Sequence, residues 1–157
     1  MSYCIFGRFD IEGQRFPSKD ICFDILKILN ERSYSVSFDD NILPASSHET
    51  MKEEDGSETY ANVYTRECFE GAIPVLEKKR EKVKEHLSKL EEIRTSVGYY
   101  TMSSEAKDSF EGDLDCTMEE LDDTDYKLNA VRYVLNVMEF VSSLYDDKPV
   151  KLKLWAD

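Results

Sequence analysis

Five carboxylates, Asp108, Glu111, Asp115, Glu119 and Asp122, are spaced three, four, four and three residues apart. At 100° per residue and 1.5 Å of rise, that spacing lines all five along one flank of an α-helix over roughly 21 Å. Neighbouring like charges on a helix face cost stability. Such a row calls either for cations inside the fold or for a cationic partner outside it. The chemistry it could do is recognition, as the complement of a basic cleft or as a mimic of a nucleic-acid backbone. The ordinary alternative is a solvated helix face balanced by bases on a neighbouring helix, because charge runs commonly face water.

Other chemistries find less support. Asp113, Asp115, Thr117 and Glu119 alternate like the start of a calcium loop, but no glycine stands at the sixth position and no acid at the twelfth. His48 beside Glu49, and His86 alone, have no companion at metal-ligand spacing, so no metal or other cofactor is expected. Cys4, Cys22, Cys68 and Cys116 are scattered and form no CxxC pair, as in a reducing compartment with mostly buried thiols. Adjacent acids such as Asp122 and Asp123 could exchange protons, but among 33 acidic residues such pairs arise by chance. The chain carries no glycine-rich phosphate loop, nucleophile elbow or HExxH. A non-enzymatic protein is expected.

The acidic row needs a helix to carry it. From Ser104 to Tyr145 the sequence is acid-rich and then apolar. Phe110, Leu114, Met118 and Leu121 share one face, and Val134, Val137, Met138, Val141 and Leu144 share the opposite one. The spacing predicts a continuous or kinked helix that changes partners near Asp122–Asp125. Upstream, Glu67 to Val97 reads as a helix that Pro74 interrupts or restarts. Its apolar seam, Leu76, Val83, Leu90 and Val97 with Leu87 and Ile93 beside it, asks for one partner helix. A hairpin turning near Thr101 would bring Leu87 to Leu114 and Val83 to Met118. It would also set Lys82, Lys84, Lys89 and Arg94 beside acids of the second arm, and Asp125 near Lys79 or Arg80.

The remaining stretches read as a small sheet and one short helix. Tyr3–Phe9 is β-prone, Ser18–Arg32 has a capped helical pattern, and Tyr34, Val36 and Phe38 alternate with serines. Residues 39–56 read as a loop, Tyr60–Tyr64 as a strand or a lead-in to a helix, and Val150, Leu152 and Leu154 as a terminal strand with one face buried. The expected architecture is α+β, with a small, mostly antiparallel sheet, a short helix and a long antiparallel helical hairpin. One domain is expected, its core from 1–64 and 128–157 and its hairpin from 67–127.

Charge narrows the partners. The net charge of −13 is concentrated in residues 39–75 and 99–147, at −7 and −10, with +2 between them. Nucleic-acid phosphates and anionic membranes attract Lys and Arg and repel so acidic a chain. A basic protein partner is expected, with no direct nucleic-acid and no membrane contact. No apolar run approaches the roughly 20 residues of a membrane span, and Met1–Asp10 lacks the pattern of a signal peptide, so a cytoplasmic location is expected. These features point to an inhibitor-like protein that uses Asp108, Glu111, Asp115, Glu119 and Asp122 against a nucleic-acid-handling protein, in the manner of immunity proteins or phage counter-defence proteins. The alternative is an assembly subunit that self-associates through its hairpin, with surplus apolar surface on Val131–Tyr145 as the interface.

Overall fold

The computed structural model describes residues 5–11, 14–17, 38–52 and 54–156. The expected helix at Ser18–Arg32 and most of the expected strand at Tyr34–Phe38 lie outside these residues, as do Cys4 and Cys22. The elements in chain order are β1 (Ile5–Ile11), β2 (Gln14–Pro17), β3 (Ser47–Lys52), β4 (Glu58–Thr65), α1 (Arg66–Arg94), α2 (Val97–Tyr100), α3 (Ser104–Ser143) and β5 (Lys151–Ala156). The fold is α+β; among the described residues its antiparallel sheet has five strands, in the order β2-β1-β5-β4-β3. The chain forms two compact units, residues 1–74 with 129–157, and residues 75–128.

The first unit holds the sheet. Its central strand is β5, at the end of the chain, paired with β1 on one side and β4 on the other. Register puts Phe9, Leu152 and Tyr64 in one row across the three strands, and all three are buried, as are Ile11 and Leu154 on the same face. Tyr64 anchors a ring cluster with Phe38 and Phe69, at centroid distances of 4.6 and 6.3 Å. The Tyr64 hydroxyl accepts a 3.0 Å hydrogen bond from the Phe38 backbone N–H, and burial pushes its pKa up from 10.0 to about 12. Phe69 and Ala72 of α1, with Val131, Val134 and Met138 of α3, add to the buried set, as do Leu43, Ala130 and Val150.

The other sheet face carries charge. Lys153, which alternates with the buried leucines, has a side chain only 15% exposed. Its Nζ lies 2.9 Å from Asp10 Oδ2 and 2.5 Å from Glu49 Oε2. Arg8 adds a two-pronged contact to Asp10 at 2.6 and 2.9 Å. On this side of β4 stand Ala61 and Val63, both fully buried.

Two sequence expectations are corrected here, and one left between two alternatives is decided. Residues 39–56 are not all loop, because β3 occupies Ser47–Lys52. Among the described residues it is an edge strand, paired only with β4, and its polar residues suit an edge. Asp55 and Gly56, the latter at φ 83°, turn β3 into β4, a conformation that glycine adopts without strain. Tyr60–Tyr64 is strand and not a lead-in to helix. Pro74 neither interrupts nor restarts α1, which runs through it. The side chain is exposed, so water can take the backbone acceptor that proline leaves without a donor. α3 leads into β5 through Asp146 and Asp147, both left-handed at φ 56° and 58°. The Asp147 N–H closes that end on the Ser142 carbonyl at 3.0 Å.

Candidate functional site

The acidic row lies in the second unit, on α3. The helix begins at a capped end, where Ser103 Oγ accepts the Ala106 N–H at 3.2 Å. It then continues unbroken to Ser143. Within this unit its buried apolar and threonine positions are Leu114, Thr117, Thr124 and Leu128, with Phe110 and Leu121 half-buried; Lys127 is buried as well, its Nζ 3.2 Å from Asp123 Oδ2. The apolar and threonine positions alternate three and four residues apart, the spacing of a two-helix seam.

Met118, expected on this seam beside Val83, is instead 50% exposed, and Thr117 takes the buried place. The Thr117 hydroxyl donates to the Asp113 carbonyl at 2.7 Å, and that of Thr124 to the Glu120 carbonyl at 2.8 Å. Each threonine thereby satisfies its polar atom on its own helix and presents a methyl group to the core. On α1, Leu76, Val83 and Leu90 are buried, but Val97 is 80% exposed. The seam stops short of it because α1 ends at Arg94 and Val97 belongs to the four-residue α2.

Side-chain contacts join the two helices within this unit. Arg80 meets Asp125, as expected of that aspartate. His86 Nε2 lies 3.5 Å from Asp113, and Arg94 Nε lies 3.7 Å from Glu111. The contacts climb one helix as they descend the other, so the two run in opposite directions here. Between them, Tyr99 packs on Phe110 at 5.6 Å and donates its hydroxyl to Glu111 Oε1 at 2.8 Å. That hydrogen bond to a carboxylate, followed by desolvation, raises the Tyr99 pKa. Lys107 lies 5.4 Å from the centre of the same ring.

The five row residues therefore divide. Glu111 is half-buried and engaged by Tyr99 and Arg94. Asp108, Asp115, Glu119 and Asp122 are exposed, and none has an ion pair or hydrogen bond with another side chain among the described residues. The compensation expected from Lys82, Lys84 and Lys89 is not made. These lysines are exposed and form no ion pair among the described residues. Of Lys82, Lys84, Lys89 and Arg94, only Arg94 reaches an acid among the described residues; Arg80 and His86 make the other contacts between the helices.

Sequence reasoning missed the Arg8, Asp10, Lys153 and Glu49 network, since its members are far apart in the chain and only strand register assembles them. Each of its charges is paired. Among the described residues, no group of three or more His, Cys, Asp and Glu could hold a metal ion. The two described cysteines are free, Cys68 half-buried and Cys116 exposed, so Cys116 departs from the expected burial. No described helix is long and apolar enough to cross a membrane. Comparison of the chain with protein-family models, curated proteins and solved structures finds no match.

Proposed function

We propose that the protein is a non-enzymatic binding protein whose α3 acidic row blocks a basic, nucleic-acid-handling protein in the cytoplasm. The observation that carries this reading is the set of four exposed carboxylates, Asp108, Asp115, Glu119 and Asp122, without an internal cation among the described residues. Four neighbouring like-charge pairs run along the row. At about 0.2–0.5 kcal/mol each, they cost the isolated chain roughly 1–2 kcal/mol. A partner that brings lysines and arginines converts that cost into attraction, speeds encounter, and discriminates against acidic competitors. A row of carboxylates roughly 21 Å long can occupy a groove built for phosphates, which is how an immunity-like or counter-defence-like inhibitor would act by mimicry.

The test is paired affinity capture with the wild-type protein and with the variant Asp108→Asn, Asp115→Asn, Glu119→Gln, Asp122→Asn, at about 50 and 500 mM salt. The reading expects proteins retained by the wild type at low salt, lost at high salt, lost with the variant, and released by a short DNA duplex. Equal retention by the two proteins, or retention indifferent to salt and to DNA, would refute it.

A further inference from the structure

The turn between β3 and β4 holds the chain's only Asp–Gly or Asn–Gly pair, Asp55 and Gly56. Both residues are exposed. A Cβ built on Gly56 would meet nothing within 4 Å, so its amide is open to approach. Asp55 is folded toward that amide. Its Oδ1 accepts the Ser57 N–H at 2.9 Å and the Ser57 hydroxyl at 2.6 Å. The first bond closes a ring that runs through the Asp55 side chain and the backbone of Gly56. The carboxyl is thereby held back along the chain, over the Gly56 nitrogen.

We infer that Asp55–Gly56 is a site of spontaneous covalent modification, where aspartate converts to isoaspartate through a cyclic imide, and that Ser57 restrains the conversion. The Gly56 nitrogen forms a bond to Asp55 Cγ. The Cγ–OH bond of the protonated carboxyl breaks, and the hydroxyl leaves as water with the amide proton. Water then adds to one of the two imide carbonyls. Opening at the side-chain carbonyl restores aspartate; opening at the main-chain carbonyl leaves the chain running through the Asp55 side chain. Water is lost once and regained once, so the product is an isomer and nothing is oxidised or reduced.

Glycine decides the place. A side chain on the following residue crowds the attacking nitrogen, and glycine has none. Asp39 is the internal contrast, because its Oδ1 accepts the Asn41 N–H at 3.0 Å in the same fold-back, but Asp40 follows it. The aspartates of α3 lie in a backbone fixed by helix hydrogen bonds. Ser57 sets the rate. The carboxyl must be protonated for its hydroxyl to leave, whereas the Ser57 hydroxyl and N–H both bond the ionised form and hold the Asp55 pKa below the ordinary value.

The product alters the turn. Isoaspartate adds the Asp55 Cβ to the main chain beside the closing pair of the β3–β4 ladder, Lys52 opposite Glu58. A longer turn loosens β3 from that end, on the strand whose Glu49 holds Lys153.

Peptide mapping of the wild type, held for weeks at about pH 5 and about pH 7, tests this. Isoaspartate is read in the tryptic peptide 53–66 by electron-transfer fragmentation and by an isoaspartate-specific methyltransferase. It should accumulate at position 55 and not at Asp39, and faster at the lower pH. Gly56→Ala and Asp55→Glu, each folded by circular dichroism, should slow it at least about tenfold. Ser57→Ala, which removes one of the two donors to the carboxylate, should speed it. Amide exchange in β3 should be faster in the isomerised fraction than in fresh protein. A wild type without isoaspartate at position 55, or with as much at Asp39, overturns the inference. So does a rate that Ser57→Ala leaves unchanged or lowers. None of these variants touches α3, so the outcome is independent of the proposed function.

Discussion

Neutralising the middle of the acidic row should make the protein more stable while removing what it binds with. In Asp115→Asn with Glu119→Gln, three of the four neighbouring like-charge pairs disappear: Glu111 with Asp115, Asp115 with Glu119, and Glu119 with Asp122. Both residues are exposed without side-chain partners among the described residues, and the replacements are isosteric and close in helix propensity. At about 0.2–0.5 kcal/mol per pair the expected gain is roughly 0.6–1.5 kcal/mol at low salt. For a chain of this length that is about 1–6 °C in Tm. At 1 M salt the Debye length falls to about 3 Å and the gain should largely vanish. Thermal unfolding of both proteins at about 20 mM and 1 M salt measures it. Glu111→Gln is the internal contrast: it lies in the same row but accepts the Tyr99 hydroxyl and faces Arg94, so its neutralisation should not stabilise. A lower Tm for the double variant, or a gain that ignores salt, would refute the claim that these carboxylates are uncompensated.

Other consequences follow from the interior. Tyr64→Phe should cost about 1–3 kcal/mol in urea unfolding, because the buried Phe38 N–H loses its acceptor. With the Tyr64 pKa raised to about 12 in the folded state, its contribution is intact below pH 10 and is lost as pH climbs toward 12; an alkaline melt should show this in the wild type and not in Tyr64→Phe. Lys153→Met should cost about 1–3 kcal/mol by stripping a cation from Asp10 and Glu49. Burial opposes ionisation of Asp10, but its bonds to Arg8 and Lys153 outweigh this and lower its pKa, so its stabilisation is present above pH 3.8 and fades in acid as the pH falls through the lowered value. Gly112→Ala, where an added Cβ meets nothing within 4 Å, should stabilise α3 by about 1 kcal/mol in a thermal melt. Asp125→Ala, which breaks the half-exposed pair with Arg80, should cost up to about 1 kcal/mol, and an unchanged Tm would show that the pair is idle.

The sequence made some elements legible and hid others for physical reasons. β5 could be read because Leu152 and Leu154 alternate with lysines, and the leucines are buried. β4 resisted because Ala61 and Val63 are buried on one face and Tyr64 on the other, which erases the period of two. β3 resisted because an edge strand has no apolar face to display. The pairing of Lys153 was hidden for a different reason. Alternation tells which side of a sheet a residue takes, but only register reveals that Asp10 and Glu49 lie within its reach. In the helices, hydrophobicity favoured Met118 over Thr117, whereas position on the seam and an internally bonded hydroxyl decided for threonine.

The candidate site shows the same division. Spacing alone placed Asp108, Glu111, Asp115, Glu119 and Asp122 on one flank, because helix geometry is local. Which of them would be neutralised could not be read, since pairing depends on the rotation of both helices about their shared seam. That rotation gives Arg94 to Glu111 and leaves Lys82, Lys84 and Lys89 without acids among the described residues. Had those lysines met the row, the charge would have been internal bookkeeping and the solvated-face reading would suffice. Instead the helix keeps four carboxylates at a standing cost in one unit, while in the other its exposed face falls to one charge of each sign. Contacts of the row to a basic protein should therefore weaken as ionic strength rises, and an ionic-strength series of partner capture, wild type against the row variant, measures it.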